Sequence, residues 1–174
     1  GCPFLTDEDR ADGKDAAPVA YRYRRFALSD AVDLVVRCEA QALAAPCAPD
    51  ALDGSLVAVC TLNEWNPAAT RWKDSFENRG GFLLASEIKN NACRMARNTA
   101  KALLVGAGRI LIGFVTRRVP AKSEAHDIVG TMSFATEGLM TQLTLTERGL
   151  WGAADQLLQL LVPLPQGDYV LTKI

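Results

Sequence analysis

At 174 residues, 49% of them hydrophobic, and with a mean hydropathy of +0.04, the chain is long enough to bury a core and reads as one globular domain. A formal net charge of -1 excludes a wholly basic nucleic-acid protein but leaves room for a local cationic patch. The five cysteines, Cys2, Cys38, Cys47, Cys60 and Cys93, are odd in number and form no C-x-x-C pair, which fits a reducing compartment. One histidine, His126, gives little to a Cys/His zinc site or a Ser-His-Asp arrangement and reads as a loop or strand-edge residue. No apolar run approaches the roughly 18 residues of a membrane span, and no signal peptide precedes the domain, so the sequence predicts a soluble, cytoplasmic protein with no membrane partner.

In chain order, residues 1–16 are predicted to be an N-terminal loop or linker, because TDEDRADGKD is charged and lacks large apolar groups; the domain is expected over 17–174. The chain starts at Gly1, already loop-like, and reads as a piece of something longer. VAYRYRRFAL alternates, with Tyr21, Tyr23 and Arg25 on one side and Arg22, Arg24 and Phe26 on the other, as in a strand with one wet face. Its arginines suit RNA, acidic partner residues or plain solvent, and its tyrosines suit packing or base stacking. After a turn at Ser29-Asp30, a second strand places Leu34, Val36, Cys38 and Ala40 on its apolar side and Val35, Arg37, Glu39 and Gln41 on the other. Residues 44–53 read as a loop, and LVAVCTLNEW as a third strand antiparallel to the second. Residues 66–80 read as a long polar loop in which Trp65 and Trp72 either anchor the loop or stack on bases.

Residues 80–104 are the centre of this reading. The run 82–88 is apolar at nearly every position and is predicted to be a buried strand whose end projects Glu87 and Lys89 together. Such a pair reads as a metal-binding carboxylate beside a phosphate-stabilising cation, or as an ordinary ion pair at a sheet edge. A helix follows, capped by Asn90 or Asn91 and ending before Gly106 and Gly108. Met95, Ala96, Thr99, Ala100, Leu103 and Leu104 form its inward stripe, while Arg94, Arg97 and Lys101 form a basic ridge, suited to solvent or to a phosphate backbone. RILIGFVTRRV and HDIVGTMSFA are predicted to pair as a hairpin. An amphipathic helix follows, with capping-box spacing between Thr144 and Glu147 and a buried face of Trp151, Ala154, Leu157, Leu158 and Leu161; it stops at Pro163, and DYVLTKI returns as a strand.

The stretches VAYRYRRF, DLVVRCE, TLNEWN, RGG with EIKNN and AR, ALLVGA, GFVTR, GT with F, and the WG helix, in this order from about Cys2 onward, resemble the C-terminal half of the D-subunit family of eukaryotic translation initiation factor 3. The resemblance implies an α+β (mixed) fold, a largely antiparallel mixed β-sheet flanked by helices, like that of the decapping exoribonucleases. It makes residues 17–174 the C-terminal part of a cap-binding-like domain, with much of the cap pocket upstream of residue 1. It further implies a cytoplasmic, multisubunit-complex protein of translation initiation whose partners are other factor subunits, the small (40S) ribosomal subunit and messenger RNA with its 5′ cap.

In the resembling nucleases, the positions of Glu39, Gln41, Glu87 and Lys89 build a metal site. Here Gln41 stands in place of an aspartate, which removes one hard anionic ligand. The expectation is therefore no metal, no cofactor and no catalysis, with Arg37, Glu39, Glu87, Lys89, Arg94, Arg97 and Lys101 as RNA-binding residues around a vestigial cleft. The alternatives are a metal-dependent decapping or exonuclease enzyme using Glu39 and Glu87, and a purely protein-binding platform on the ribosome.

Overall fold

The computed structural model describes residues 20–29, 32–44 and 56–172. The predicted linker over 1–16, the Ser29-Asp30 turn beyond Ser29, and residues 45–53 of the predicted loop lie outside these. Strand β1 (Ala20–Ser29) pairs antiparallel with β2 (Val32–Ala40) as a two-stranded sheet. Strands β3 (Ala42–Leu43), β4 (Leu56–Asn63), β5 (Arg109–Arg117) and β6 (His126–Ala135) form a second sheet in that order. The fold is α+β with mixed sheets, as expected, and the β5–β6 hairpin is antiparallel as predicted.

The antiparallel pairing expected between the second and third strands holds only where Ala42 and Leu43 face Val57 and Leu56. Along the rest of its length β4 is parallel to β5, and helices α1 (Trp72–Asn90) and α2 (Ala92–Val105) make the crossover between them. A parallel neighbour requires such a connection, which sequence adjacency alone does not reveal. Central β5, rather than residues 82–88, is the strand that the core closes over: Ile110, Ile112 and Phe114 are fully buried on one side of it.

The predicted strand at residues 82–88 is the second half of α1. Leu83, Leu84 and Glu87 are buried while Phe82, Ala85 and Lys89 are exposed, a helical rather than alternating pattern. Ile88 is its only β-branched residue, so the run lacks the shape that favours a pleated surface. Within the predicted long loop, Asn66 closes a short turn by accepting from the Ala68 and Ala69 amides at 3.1 and 3.3 Å, and the helix begins at Trp72. The glycines of Arg79-Gly80-Gly81 mark a kink inside α1, where Arg79 leaves helical geometry (φ -134°, ψ 18°).

Two glycines let α1 lie close to the sheet. A Cβ on Gly130 would stand 2.1 Å from the Phe76 ring, and one on Gly80 would stand 2.6 Å from the Met132 methyl. Phe76 and Trp72 both pack on Phe114, with ring centroids 5.1 and 5.3 Å away.

Helix α2 follows its predicted bounds, with Met95, Thr99, Ala102 and Val105 buried. Its end is built from far along the chain. Gly106 takes the left-handed conformation (φ 77°), and the guanidinium of Arg22 donates to the Val105 carbonyl while that of Arg24 donates to those of Leu103 and Leu104, at 2.9 to 3.0 Å. These two arginines therefore close a helix instead of facing solvent or RNA.

After β6 come helix α3 (Thr136–Gln142) and helix α4 (Glu147–Leu161). The cap of α4 is Thr146, not Thr144: its hydroxyl accepts from the Gly149 amide at 3.1 Å, and Thr144 lies in the preceding turn at φ 54°. The predicted buried face of α4 is not buried. Trp151, Ala154 and Leu158 are half-covered, Leu157 and Leu161 are exposed, and residues 168–172 form no strand.

Candidate functional site: a cleft at the strand ends

Because β4 and β5 run parallel, their carboxyl ends lie on the same edge of the sheet. Helix α2 must deliver the chain to the start of β5, so its own start lies at that edge as well. Together these ends enclose a cleft of about 960 Å³, whose lining includes Glu64 and Trp65 after β4, Asn91 and Arg94 from the start of α2, Arg117 from β5 and His126 from β6.

Glu64 is used structurally. One carboxylate oxygen accepts from the Trp72 amide at 2.6 Å, which caps α1, and the other accepts from the Thr116 hydroxyl. Glu87 is only 8% exposed and accepts from the Asn91 side-chain amide at 2.5 Å through one oxygen. The Arg94 guanidinium donates to the Thr61 carbonyl on the free edge of β4 at 3.0 Å. Nearby, burial pushes the Cys60 thiol above its ordinary range, and an Asn98 hydrogen bond and the Arg94 charge only partly offset this.

The two tryptophans have separate fates. Trp72 is buried as an anchor on Phe114, whereas Trp65 is 91% exposed at the cleft. An open indole beside two arginines, several amides and a carboxylate can stack on a base, pair with phosphate and read a base edge.

Of the residues singled out in the sequence for metal or RNA contact, the cleft brings together Trp65, Glu87 and Arg94. On helix α1, Glu87 and Lys89 do not project together: the first is buried in the cleft and the second is exposed away from it. Arg97 and Lys101 continue from Arg94 along the exposed side of α2. Arg37 and Glu39 stand on the outward face of the β1–β2 hairpin, outside the cleft lining. Gln41 pairs with a strand edge, its side-chain oxygen accepting from the Val59 amide at 2.7 Å. Gln41 and Arg94 thus reach the same edge of β4, at Val59 and Thr61, and among the described residues no group of three His, Cys, Asp or Glu side chains could hold a metal ion. Reading residues one strand at a time misses Glu64, Arg117 and His126 as cleft residues. The available signal is position, since all three sit where two strands end and a third begins.

Fold and site together define an α+β domain with a polar, arginine-bearing cleft at the carboxyl ends of a parallel strand pair. A family model described as eukaryotic translation initiation factor 3 subunit 7 matches residues 2–174, and the chain belongs to that family. It is 35% identical over 173 residues to the D subunit of eukaryotic translation initiation factor 3 from Nematostella vectensis, covering 98% of this chain and 30% of that protein. The human D subunit is 33% identical over 174 residues, covering 98% and 31%, and the D-2 subunit of Drosophila sechellia is 34% identical over 164 residues, covering 92% and 29%. The chain spans about three tenths of the length of these relatives. No helix among the described residues is long and apolar enough to cross a membrane.

Proposed function

We propose that this chain is part of a non-catalytic subunit of the initiation factor 3 complex, acting in the cytoplasm, that contacts messenger RNA, including its 5′ cap, and associates with the small ribosomal subunit and other factor subunits. The observation that carries the RNA reading is the cleft itself, with the exposed Trp65 ring beside Arg94 and Arg117. Arg94, Arg97 and Lys101 then lie at i, i+3 and i+7 on α2, a line of cations leading out of the cleft that suits an RNA backbone. Glu87 is retained as a buried acceptor for a base edge. Against hydrolysis stands Gln41, a neutral amide whose side-chain oxygen is already taken up by the Val59 amide on the β4 edge.

The test is binding of the full-length parent protein to capped and uncapped RNA of one sequence across a salt series, with Trp65→Ala and with Arg94→Glu/Lys101→Glu. The reading expects tighter capped binding, a loss of about fivefold or more with Trp65→Ala, and a shallower salt slope in the charge-reversed protein. No cap preference and no effect of either variant would overturn it, leaving a domain kept for docking to the ribosome and its factors.

A further inference from the structure

The β1–β2 hairpin has one employed face and one idle face. Inward, Arg22 and Arg24 close α2, Phe26 packs on Trp151 with ring centroids 4.7 Å apart, and Val36 and Cys38 join the core. Outward, Tyr21 and Tyr23 stand next but one on β1, with Glu39 and Arg37 directly across from them on β2. Tyr21, Tyr23 and Val35 are 57%, 67% and 63% exposed, so these side chains contribute little to the core. We propose that this outward face is a stacking platform for unpaired bases of single-stranded RNA, with a preference for guanine, separate from the cleft.

The geometry supplies two stacking positions. Tyr23 offers an open ring. Over Tyr21 lies the Arg37 guanidinium, 4.8 Å from the ring centroid, so a base laid on that cation extends an aromatic–guanidinium stack. Alternate strand residues stand roughly 6.6 to 6.8 Å apart, which lets neighbouring bases of an extended strand occupy both positions. Arg25 is bound to Asp33, so the pair cancels in charge. Glu39, opposite Tyr21, makes no ion pair among the described residues. Its carboxylate complements the ring N–H and amino donors that guanine presents side by side on its Watson–Crick edge; adenine and uracil present no such pair. The face carries Arg25 and Arg37 against Asp33 and Glu39. Such a balanced face has little general attraction for phosphate, and binding there depends on stacking and edge recognition rather than counterion release.

The inference rests on the RNA reading above for its class of ligand, but the two surfaces can fail separately. In the full-length parent protein, affinities for short uncapped G-rich and U-rich oligonucleotides are measured across a salt series for Tyr23→Ala, Tyr23→Phe, Glu39→Gln and Trp65→Ala. The platform expects Tyr23→Ala to lose about tenfold in affinity with an unchanged salt slope, Tyr23→Phe to keep it, and Glu39→Gln to erase the preference for the G-rich strand. All three positions are exposed, and unchanged circular dichroism and melting temperature confirm the fold of each variant. Unaltered RNA affinity in Tyr23→Ala overturns the proposal; if binding to the purified remaining factor subunits falls instead, the face is a protein contact. Loss with Tyr23→Ala but none with Trp65→Ala leaves the platform standing and removes the cleft.

Discussion

Helices α2 and α4 are almost equal in length, 14 and 15 residues, and each carries one apolar face, yet the molecule treats them differently. In α2, Met95 is 1% exposed, and Thr99, Ala102 and Val105 are buried beside it; in α4 no residue is buried. Distant parts of the chain explain the contrast. Beneath α2 lies the sheet, and two arginines of β1 reach its last carbonyls. Helix α4 has its own Thr146 cap and the contact of Trp151 with Phe26. An apolar stripe states that a helix has a face to cover, while the remainder of the chain decides whether anything covers it.

Core truncation is the strongest way to break this comparison. Met95→Ala is expected to cost about 2 to 5 kcal/mol in denaturant unfolding, whereas Leu161→Ala, in the exposed stripe of α4, stays within about 0.5 kcal/mol. Equal losses would mean that α4 is as embedded as α2. Next in size is Gly106→Ala, expected to cost about 1 to 2 kcal/mol because an alanine must take the left-handed conformation there. Its new methyl would also lie 2.9 Å from an Arg22 guanidinium nitrogen. Amide exchange should then quicken over the last turn of α2, and unchanged protection there would sink the account of a cap built by glycine and arginine together. The smallest effect is expected from Thr146→Ala, about 1 kcal/mol of local α4 stability. Faster exchange confined to α4, with the β5 amides unaffected, would show a helix held by local forces; loss of both together would not.

Much of this is legible in the sequence because the period of apolar residues reports local geometry. The bounds of α2, the β5–β6 hairpin and the alternation of β1 all follow from spacing and capping residues. Residues 82–88 mislead because a short apolar run fits a buried strand and a packed helix equally well, and only the absence of β-branched residues before Ile88 separates them. Arg22 and Arg24 look solvent-facing in sequence, since a partner some 80 residues away leaves no periodic trace. For the cleft, residue types point to Trp65, Glu87 and Arg94. Arg117 and His126 become cleft residues only once β4 and β5 prove parallel. Alternation places Arg37 and Glu39 on the side away from the core, as observed, but which space that side of the hairpin faces depends on tertiary packing.

The arginine closure of α2 also shapes the electric field around the molecule. A helix behaves as a rod with about half a positive elementary charge at its start and half a negative one at its end. In α2 the negative pole is met by the cations of Arg22 and Arg24, while the positive pole opens at the cleft beside Arg94. An approaching anion is therefore repelled by neither end of this helix. The cleft's own side chains balance in charge, Glu64 and Glu87 against Arg94 and Arg117, so what the arginine closure changes is the far end of α2, where the last carbonyls meet cations instead of facing solvent.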